Sequence, residues 1–484
     1  MHEFSSPDDL CFTPAVELAG LIRRRELSPV ELMASVLGRI DQLQPKLNCF
    51  ATVCHEQALA AARRAEDVLM RSPVDELPLL HGLPASVKDL EDTAGVRTAY
   101  GSLHFKDHVP EDDALIWKRL KAHGAILLGK TTTPEFGMNS VTESLLTGIT
   151  RNPWNLACTT GGSSGGAAAA VAAGLGPLAT GSDGGGSIRV PSAFCGVVGL
   201  KPSPGRIPFG GRNGAWEGVV VTGPITRTVA DCALMLDATA GPDGHDAIFL
   251  PAPGQSYLAG LERASVKGMR VAYCSDLRSG PVEPEVLRVV AAAAANFETD
   301  LGAHVEAVDL DLPDVFDYFV KWWCPQVALF HETVLEPLGH PELLPGSVRW
   351  ALEQGAKVQL RDYVRTQFDT RTSLHNVFAD VFSAFDLLIW PTTPCVAFPH
   401  PGAAGGPLEI AGEPTRIPIL ENQRFTEAIS HAGYPAITVP AGFTQDGLPV
   451  GLQIAAAHGR DDLVLAAAAA FEAAVPWAAK RPAC

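Results

Sequence analysis

The chain of 484 residues carries 37 Lys and Arg against 54 Asp and Glu, a formal net charge of −17. Hydrophobic residues make up 46% and charged residues 19%. That composition excludes a disordered chain, and the acidic balance argues against a nucleic-acid partner. Ten cysteines with no CxxC pair read as reduced thiols of a cytoplasmic protein, so neither a disulfide framework nor a metal is expected.

The opening MHEFSSPDDL is acidic and polar, unlike a secretory signal. Arg23-Arg24-Arg25 reads as the solvated face of a helical pattern. Ser28-Pro29-Val30-Glu31 has the form of a capping box with proline at the first helical position, and predicts a helix to about Leu43. A second helix is expected over His55 to Met70. After Pro78 the pattern changes to short apolar runs bounded by glycine and proline: LPASVKDL, AILLGKT and PLATGSD. These read as buried strands alternating with helices over 112–123, 163–174 and 228–240, the pattern of an α/β sheet covered on both faces.

The longest apolar stretch, around 166–179, is broken by glycine and Pro177. It falls short of the about 20 residues that span a bilayer, so no membrane partner is expected. The alternation resumes with MRVAYC, a helix over 283–300, DLLIW, PAITVP, PVGLQIAAA and a helix over 460–474, interrupted by a Pro/Gly-rich segment at 391–417. No internal repeat or charged linker marks a boundary. The expectation is an N-terminal helical layer, 1–75, packed on an α/β domain, 76–484, as one structural domain.

Several motif formulas are met without their context. Gly124 to Thr131 fits GxxxxGK[ST], but its variable positions are Ala, Ile, Leu and Leu, which read as the strand itself rather than a phosphate loop. Gly161-Gly162-Ser163-Ser164-Gly165 fits GxSxG, but the preceding RNPWNLACTT is loop-like, whereas a nucleophile elbow follows a buried strand. His55-Glu56 and His331-Glu332 lack a second histidine four residues on, and no SxxK tetrapeptide occurs.

GSDGGGSIR, at the end of the PLAT strand, allows a different chemistry. Three glycines let the backbone turn sharply with N–H groups aimed at one point, and Ser187 follows directly, as an acyl-transfer nucleophile beside an oxyanion hole would. Asp183 and Arg189 flank the turn and can brace it. Local spacing leaves a plain strand-to-helix turn equally open. Lys88 ends an otherwise apolar strand; a lysine snorkelling from the strand end accounts for it as it stands. It becomes a base only if burial lowers its pKa and a hydroxyl relay links it to Ser187.

GLPASVKDLEDTAGVRTAYGS, GKTTTPEFG, GGSSGGAAAAVAAGLGPLATGSDGGGSIRVPSAFCGVVGLKPSPGRIP, GPITRTVAD and the terminal YPAITVPAG…GLPVGLQI together resemble the amidase signature hydrolases, from about residue 10 to the C-terminus. The resemblance implies a large mixed central β-sheet covered on both faces by α-helices, and a Ser–cisSer–Lys triad without cofactor. In it Lys88 is the base, Ser163 the relay serine after a cis peptide bond, and Ser187 the nucleophile. The oxyanion would sit among the backbone N–H groups of Gly184, Gly185, Gly186 and Ser187. Phe136, Gly137 and Met138 align with a stretch that lines the substrate channel in relatives, and Thr160 lies just before the relay motif.

Cleavage of C–N bonds in a small amide, aryl amide or carbamate is the implied activity, with a homodimer as a common assembly of relatives. The family also holds the A-type glutaminase chain of a tRNA-dependent amidotransferase. That chain usually carries an SSLDQ-like segment where this one has GAWEGVVVT. The frequent N-x-x-G-x-P pattern reads here Ser430-His431-Ala432-Gly433-Tyr434-Pro435. The 391–417 segment is expected to cover the mouth of the site.

Overall fold

The structure, a computed structural model, describes residues 7–209 and 218–484; part of GAWEGVVVT lies outside them. Helices of six or more residues are numbered in chain order. The first three are α1 (Pro7–Phe12), α2 (Ala15–Arg23) and α3 (Pro29–Leu47). The Ser28 hydroxyl accepts the N–H groups of Val30 (3.0 Å) and Glu31 (3.2 Å), so α3 starts where the capping signal places it. It continues past Leu43, because Leu32, Val36, Ile40, Leu43 and Leu47 keep one face buried until Asn48 turns left-handed.

α2 ends at Arg23, so the three arginines do not share a helical face. Arg23 instead donates to the carbonyls of Val74 (3.0 Å), Leu77 (3.2 Å) and Pro78 (2.8 Å), while Arg24 and Arg25 are exposed. Before α4 (His55–Arg71) the chain lays down β1 (Phe50–Val53). The N-terminal segment therefore contributes a strand to the main sheet as well as helices.

That sheet has eleven strands: β1, then β2 (Pro84–Lys88), β3 (Ile126–Thr131), β4 (Leu178–Asp183), β5 (Val198–Lys201), β6 (Val221–Thr226), β7 (Arg270–Tyr273), β8 (His304–Ala307), β9 (Leu387–Pro391), β10 (Ala436–Phe443) and β11 (Pro449–Ala455). Their spatial order is β1-β3-β2-β4-β6-β5-β10-β11-β9-β7-β8. β2 runs parallel to β3 and β4, and β9 parallel to β7, whereas β6, β5, β10 and β11 pair antiparallel in the middle. β2, β4, β9 and β11 are buried at every position, which explains why their sequences show no alternation of apolar and polar residues. Residues 126–131 being strand, the phosphate-loop formula has no loop here.

Helices cover both faces: α5 (Leu115–Ala122), α6 (Gly165–Ala172), α7 (Arg189–Cys195), α8 (Val229–Thr239), α9 (Pro284–Thr299) and, after the sheet's second edge, α10 (Val315–Phe330), α11 (Gly346–Gly355), α12 (Leu360–Arg365) and α13 (Arg371–Ala384). α14 (Arg424–Ala432) and α15 (Asp461–Ala474) complete them. The excursion from α10 to α13 has π-helical turns at 331–335 and 366–370, and no pattern in the sequence pointed to it.

α6 is buried at every residue, and its composition follows from how close it lies to its neighbours. A Cβ on Gly166 would fall 2.4 Å from Thr132 Oγ1, 2.5 Å from Thr132 N and 2.6 Å from the Cys49 carbonyl. Backbone occupies two of those three directions, so the neighbours have no room to yield. We predict that Gly166→Ala lowers stability by about 1–3 kcal/mol or more, the range for overpacked cores; the change in thermal midpoint measures it.

Candidate active site

Three stretches distant in sequence meet at the carboxyl ends of the parallel neighbours β2 and β4. β2 ends in Lys88, whose backbone N–H donates to Thr180 Oγ1 of β4 (3.0 Å). The side chain is fully buried, with Nζ 2.8 Å from Ser163 Oγ, 3.0 Å from Ser182 Oγ and 3.4 Å from the Ser182 carbonyl. Burial pulls its pKa down to about 7, against the pull of Glu91 and Asp183, which favour the charged form. Among the described residues, the contact shell of Nζ holds hydroxyls and a carbonyl, with no carboxylate in it. That is how an amine can be kept neutral near pH 7.

β4 ends in Asp183, and Gly184-Gly185-Gly186-Ser187 turn the chain into α7. Among the described residues, none of the N–H groups of these four donates to a protein acceptor. Gly184, Gly185 and Ser187 line a cavity. The chain approaches α14 so closely that a Cβ on Gly186, at φ 142°, would fall 2.0 Å from Thr426 Oγ1. That hydroxyl donates to the Gly185 carbonyl (2.6 Å) and fixes the turn from outside.

The turn is also braced from within. Asp183 and Arg189 are both fully buried and pair through two bonds of 2.9 Å, and Asp183 also accepts the Ile188 N–H (3.1 Å). Burial alone would raise the Asp183 pKa, but the Arg189 guanidinium reverses this and holds it below its ordinary value. The remaining Arg189 donors reach Gln453 Oε1 (2.6 Å) on β11, and Ser430 Oγ (2.5 Å) and the Thr426 carbonyl (3.1 Å) on α14.

The GGSSGG stretch passes between these two elements. The Gly162–Ser163 peptide bond is cis. Ser164 N donates to the Ser187 carbonyl (3.0 Å), which ties this loop to the turn. The residues before it form a short strand, Asn155–Thr159, paired with Arg151–Asn152 rather than the loop expected from sequence. That ribbon lies outside the main sheet, so the elbow formula still lacks its buried central strand.

The cavity has a volume of about 330 Å³. Ser163, Ser182 and Ser187 lie along it together with Phe136, Gly137 and Met138. Thr160 does not reach it; its hydroxyl turns back onto the Gly161 carbonyl (3.1 Å) beneath the loop. The opposite wall comes from α10 and α11, with Phe319, Trp323, Val327, Phe330 and Trp350. A second cavity of about 550 Å³ shares Asn139, Ser347, Trp350 and Ile419 with the first, and Gly402, Gly405 and Ile417 of the 391–417 segment contribute to its wall.

Residues 31–465 match the model of the Amidase family. The chain belongs to the amidase signature family. This amidase is 40% identical to an acylamidase of Rhodococcus erythropolis over 98% of both chains. It is 36% identical to the A-type chain of the glutamyl-tRNA(Gln) amidotransferase of Moorella thermoacetica, over 98% of this chain and 99% of that one. Among solved structures, a bacterial aryl acylamidase of the same family superposes with a TM-score of 0.89 at 32% identity, over 96% of this chain and 97% of the other.

Sequence reasoning missed three parts of the candidate site: Ser182 as the second hydroxyl on Lys88, the aromatic wall of α10, and Glu427 of α14 with Gln423 at that helix's N-cap. Ser182 was legible in principle, since it sits in GSDGGGS one residue before the brace. Replacing Lys88 removes an amine whose ionisation opposes folding. Its folded pKa lies below the unfolded 10.5, so the penalty is full below about pH 7 and fades as pH rises towards 10.5. Lys88→Met is therefore expected to raise the thermal midpoint at neutral pH, by a margin that shrinks in alkaline buffer, as calorimetry across pH 6–10 would register.

Proposed function

We propose that this amidase hydrolyses the C–N bond of small carboxamides, including aryl amides and carbamates, through an acyl-enzyme on Ser187. The observation that carries the reading is the buried Lys88 amine 2.8 Å from Ser163 Oγ. A neutral amine has two N–H groups and one lone pair. The N–H groups are satisfied by Ser182 Oγ and the Ser182 carbonyl, which leaves the lone pair for the Ser163 hydroxyl.

In this mechanism Ser163 gives its proton to Lys88 Nζ and takes that of Ser187 as Ser187 Oγ attacks the carbonyl carbon. The oxyanion is received by the N–H groups of Gly184, Gly185, Gly186 and Ser187. Losing one donor of that kind typically costs roughly 10²–10³ in rate. The Ser163 hydroxyl then protonates the leaving nitrogen, the C–N bond breaks, and Lys88 returns the proton to Ser163. Water attacks the ester by the same relay in reverse order and frees Ser187. Asp183 and Arg189 hold the turn without touching substrate, and the apolar walls around Phe136, Met138 and Trp323 suit an aryl or alkyl group.

A second reading, the glutaminase component of a tRNA-dependent amidotransferase, has the 36% identity in its favour. It requires partner chains for turnover, whereas the first reading requires the isolated chain to turn over anilides.

Ser187→Ala is expected to abolish hydrolysis and fluorophosphonate labelling, and Ser163→Ala to lower kcat/KM by roughly 10²–10⁴, the usual weight of proton transfer. Retained hydrolysis in Ser187→Ala excludes the mechanism. Because Lys88 must be neutral, kcat/KM should rise about tenfold per pH unit below about pH 7 and level off above it. A pH profile on a neutral anilide provides the measurement.

A further inference from the structure

The cavity beside Ser187 is lined by apolar, aromatic and uncharged polar side chains with one exception. Glu427 of α14 is the single charged residue on its wall among the described residues, and it is itself 1% exposed. Its two oxygens have different surroundings. Oε1 accepts from Trp323 Nε1 (2.7 Å) and faces His431 Nε2 (2.8 Å). An indole N–H can only donate. His431 Nδ1 in turn meets the Tyr318 hydroxyl, and with that hydroxyl donating, Nε2 carries the ring proton and also donates to Oε1. Glu427 is thus held by two donors on one oxygen.

Among the described residues, Oε2 has only a long contact, 3.4 Å, from Gln423 Nε2. It points at the glycine turn, where a Cβ on Gly185 would lie 1.9 Å from it. Trp323 closes the adjacent side, since a Cβ on Gly184 would lie 3.0 Å from its ring. The other charged groups nearby are turned away or neutralised. Asp183 and Arg189 pair behind the turn, and Arg371 donates to the His431 carbonyl (2.9 Å) from beyond α14.

A carboxylate oxygen against the loop that would receive an oxyanion is unfavourable for the reaction of a neutral amide. Two like charges within a few ångströms, inside a cavity with largely apolar walls, repel strongly. A substrate cation placed between them removes the conflict: it pairs with Oε2, faces the Trp323 ring and offsets the negative charge developing on the carbonyl. We infer that Glu427 is a specificity-determining residue that selects amides whose acyl group carries a protonated amine two or three bonds from the scissile carbonyl. The inference rests on the hydrolase reading above and deepens it to a substrate class.

The test compares two anilides of nearly equal shape, 3-aminopropanoyl anilide and butanoyl anilide, which differ in an ammonium against a methyl group. Wild-type enzyme should favour the cationic anilide by tenfold or more in kcat/KM at pH 8, and Glu427→Gln should reduce that preference at least tenfold. The ratio of the two substrates within one preparation does not depend on how much of a variant is folded. A purely structural role for Glu427 would lower both rates together and leave the ratio in place. An unchanged ratio in Glu427→Gln, or a wild-type preference for butanoyl anilide, overturns the inference while leaving the hydrolase reading standing. Absence of turnover of both anilides by the wild-type chain overturns the two together.

Discussion

A lysine amine sealed inside the protein with no carboxylate in contact is the constraint on which the rest of the site depends. Lys88 can occupy that position only because β2 and β4 run parallel and side by side, so that the end of one strand delivers the amine to hydroxyls near the end of the other. Thr180, two residues before Ser182 on β4, bonds the Lys88 backbone and also donates to the Glu91 carboxyl. One strand therefore fixes both the backbone and the side chain of Lys88. Two further lysines, Lys130 and Lys201, are buried at the ends of β3 and β5, and burial depresses their pKa values to about 8 and about 7. The sheet is built to hold amines away from water.

The second dependency is mechanical. The turn from Gly184 to Ser187 has few bonds of its own, and its shape is imposed by neighbours. Arg189 connects it at once to Asp183 on β4, Gln453 on β11 and Ser430 on α14, and the Thr426 hydroxyl holds its outer side. A buried ion pair is weak evidence for stability, because desolvation offsets much of the attraction. Its use here is positional: it fixes the relation between three elements that are far apart in the chain.

The apolar runs marked the buried strands, and the glycine clusters marked places where backbone must come close to backbone. GGSSGG, GSDGGGS and VKD could be placed together only through the family resemblance, since local spacing left a plain turn at Gly184–Ser187 and a snorkelling Lys88 open. The cap at Ser28 located the start of α3, although burial of Leu43 and Leu47 carried the helix beyond its expected end. The substrate wall was not legible. VFDYFVKWWCPQVALF places large apolar residues almost all around α10, so its pattern does not distinguish the side facing the cavity from the side facing the core. Glu427 and His431 are four residues apart on α14 and read as any helical pair. Only the fold brings Gly185, more than two hundred residues earlier, against that carboxylate.

The excursion from α10 to α13 leaves the sheet after its edge strand β8 and returns at β9, while Lys88, Ser163 and Ser187 sit at the end of β2, in the loop before α6 and in the turn after β4. One wall of the cavity and the glycine turn it faces are thus supplied by segments far apart in the chain. Residues 308–386 add no strand to the main sheet, so the register of β2 and β4 does not run through them, while Trp323 and Arg371 bond them to α14. A change in that wall therefore reaches the glycine turn through side chains and α14, and not through the strands that hold Lys88 and Asp183.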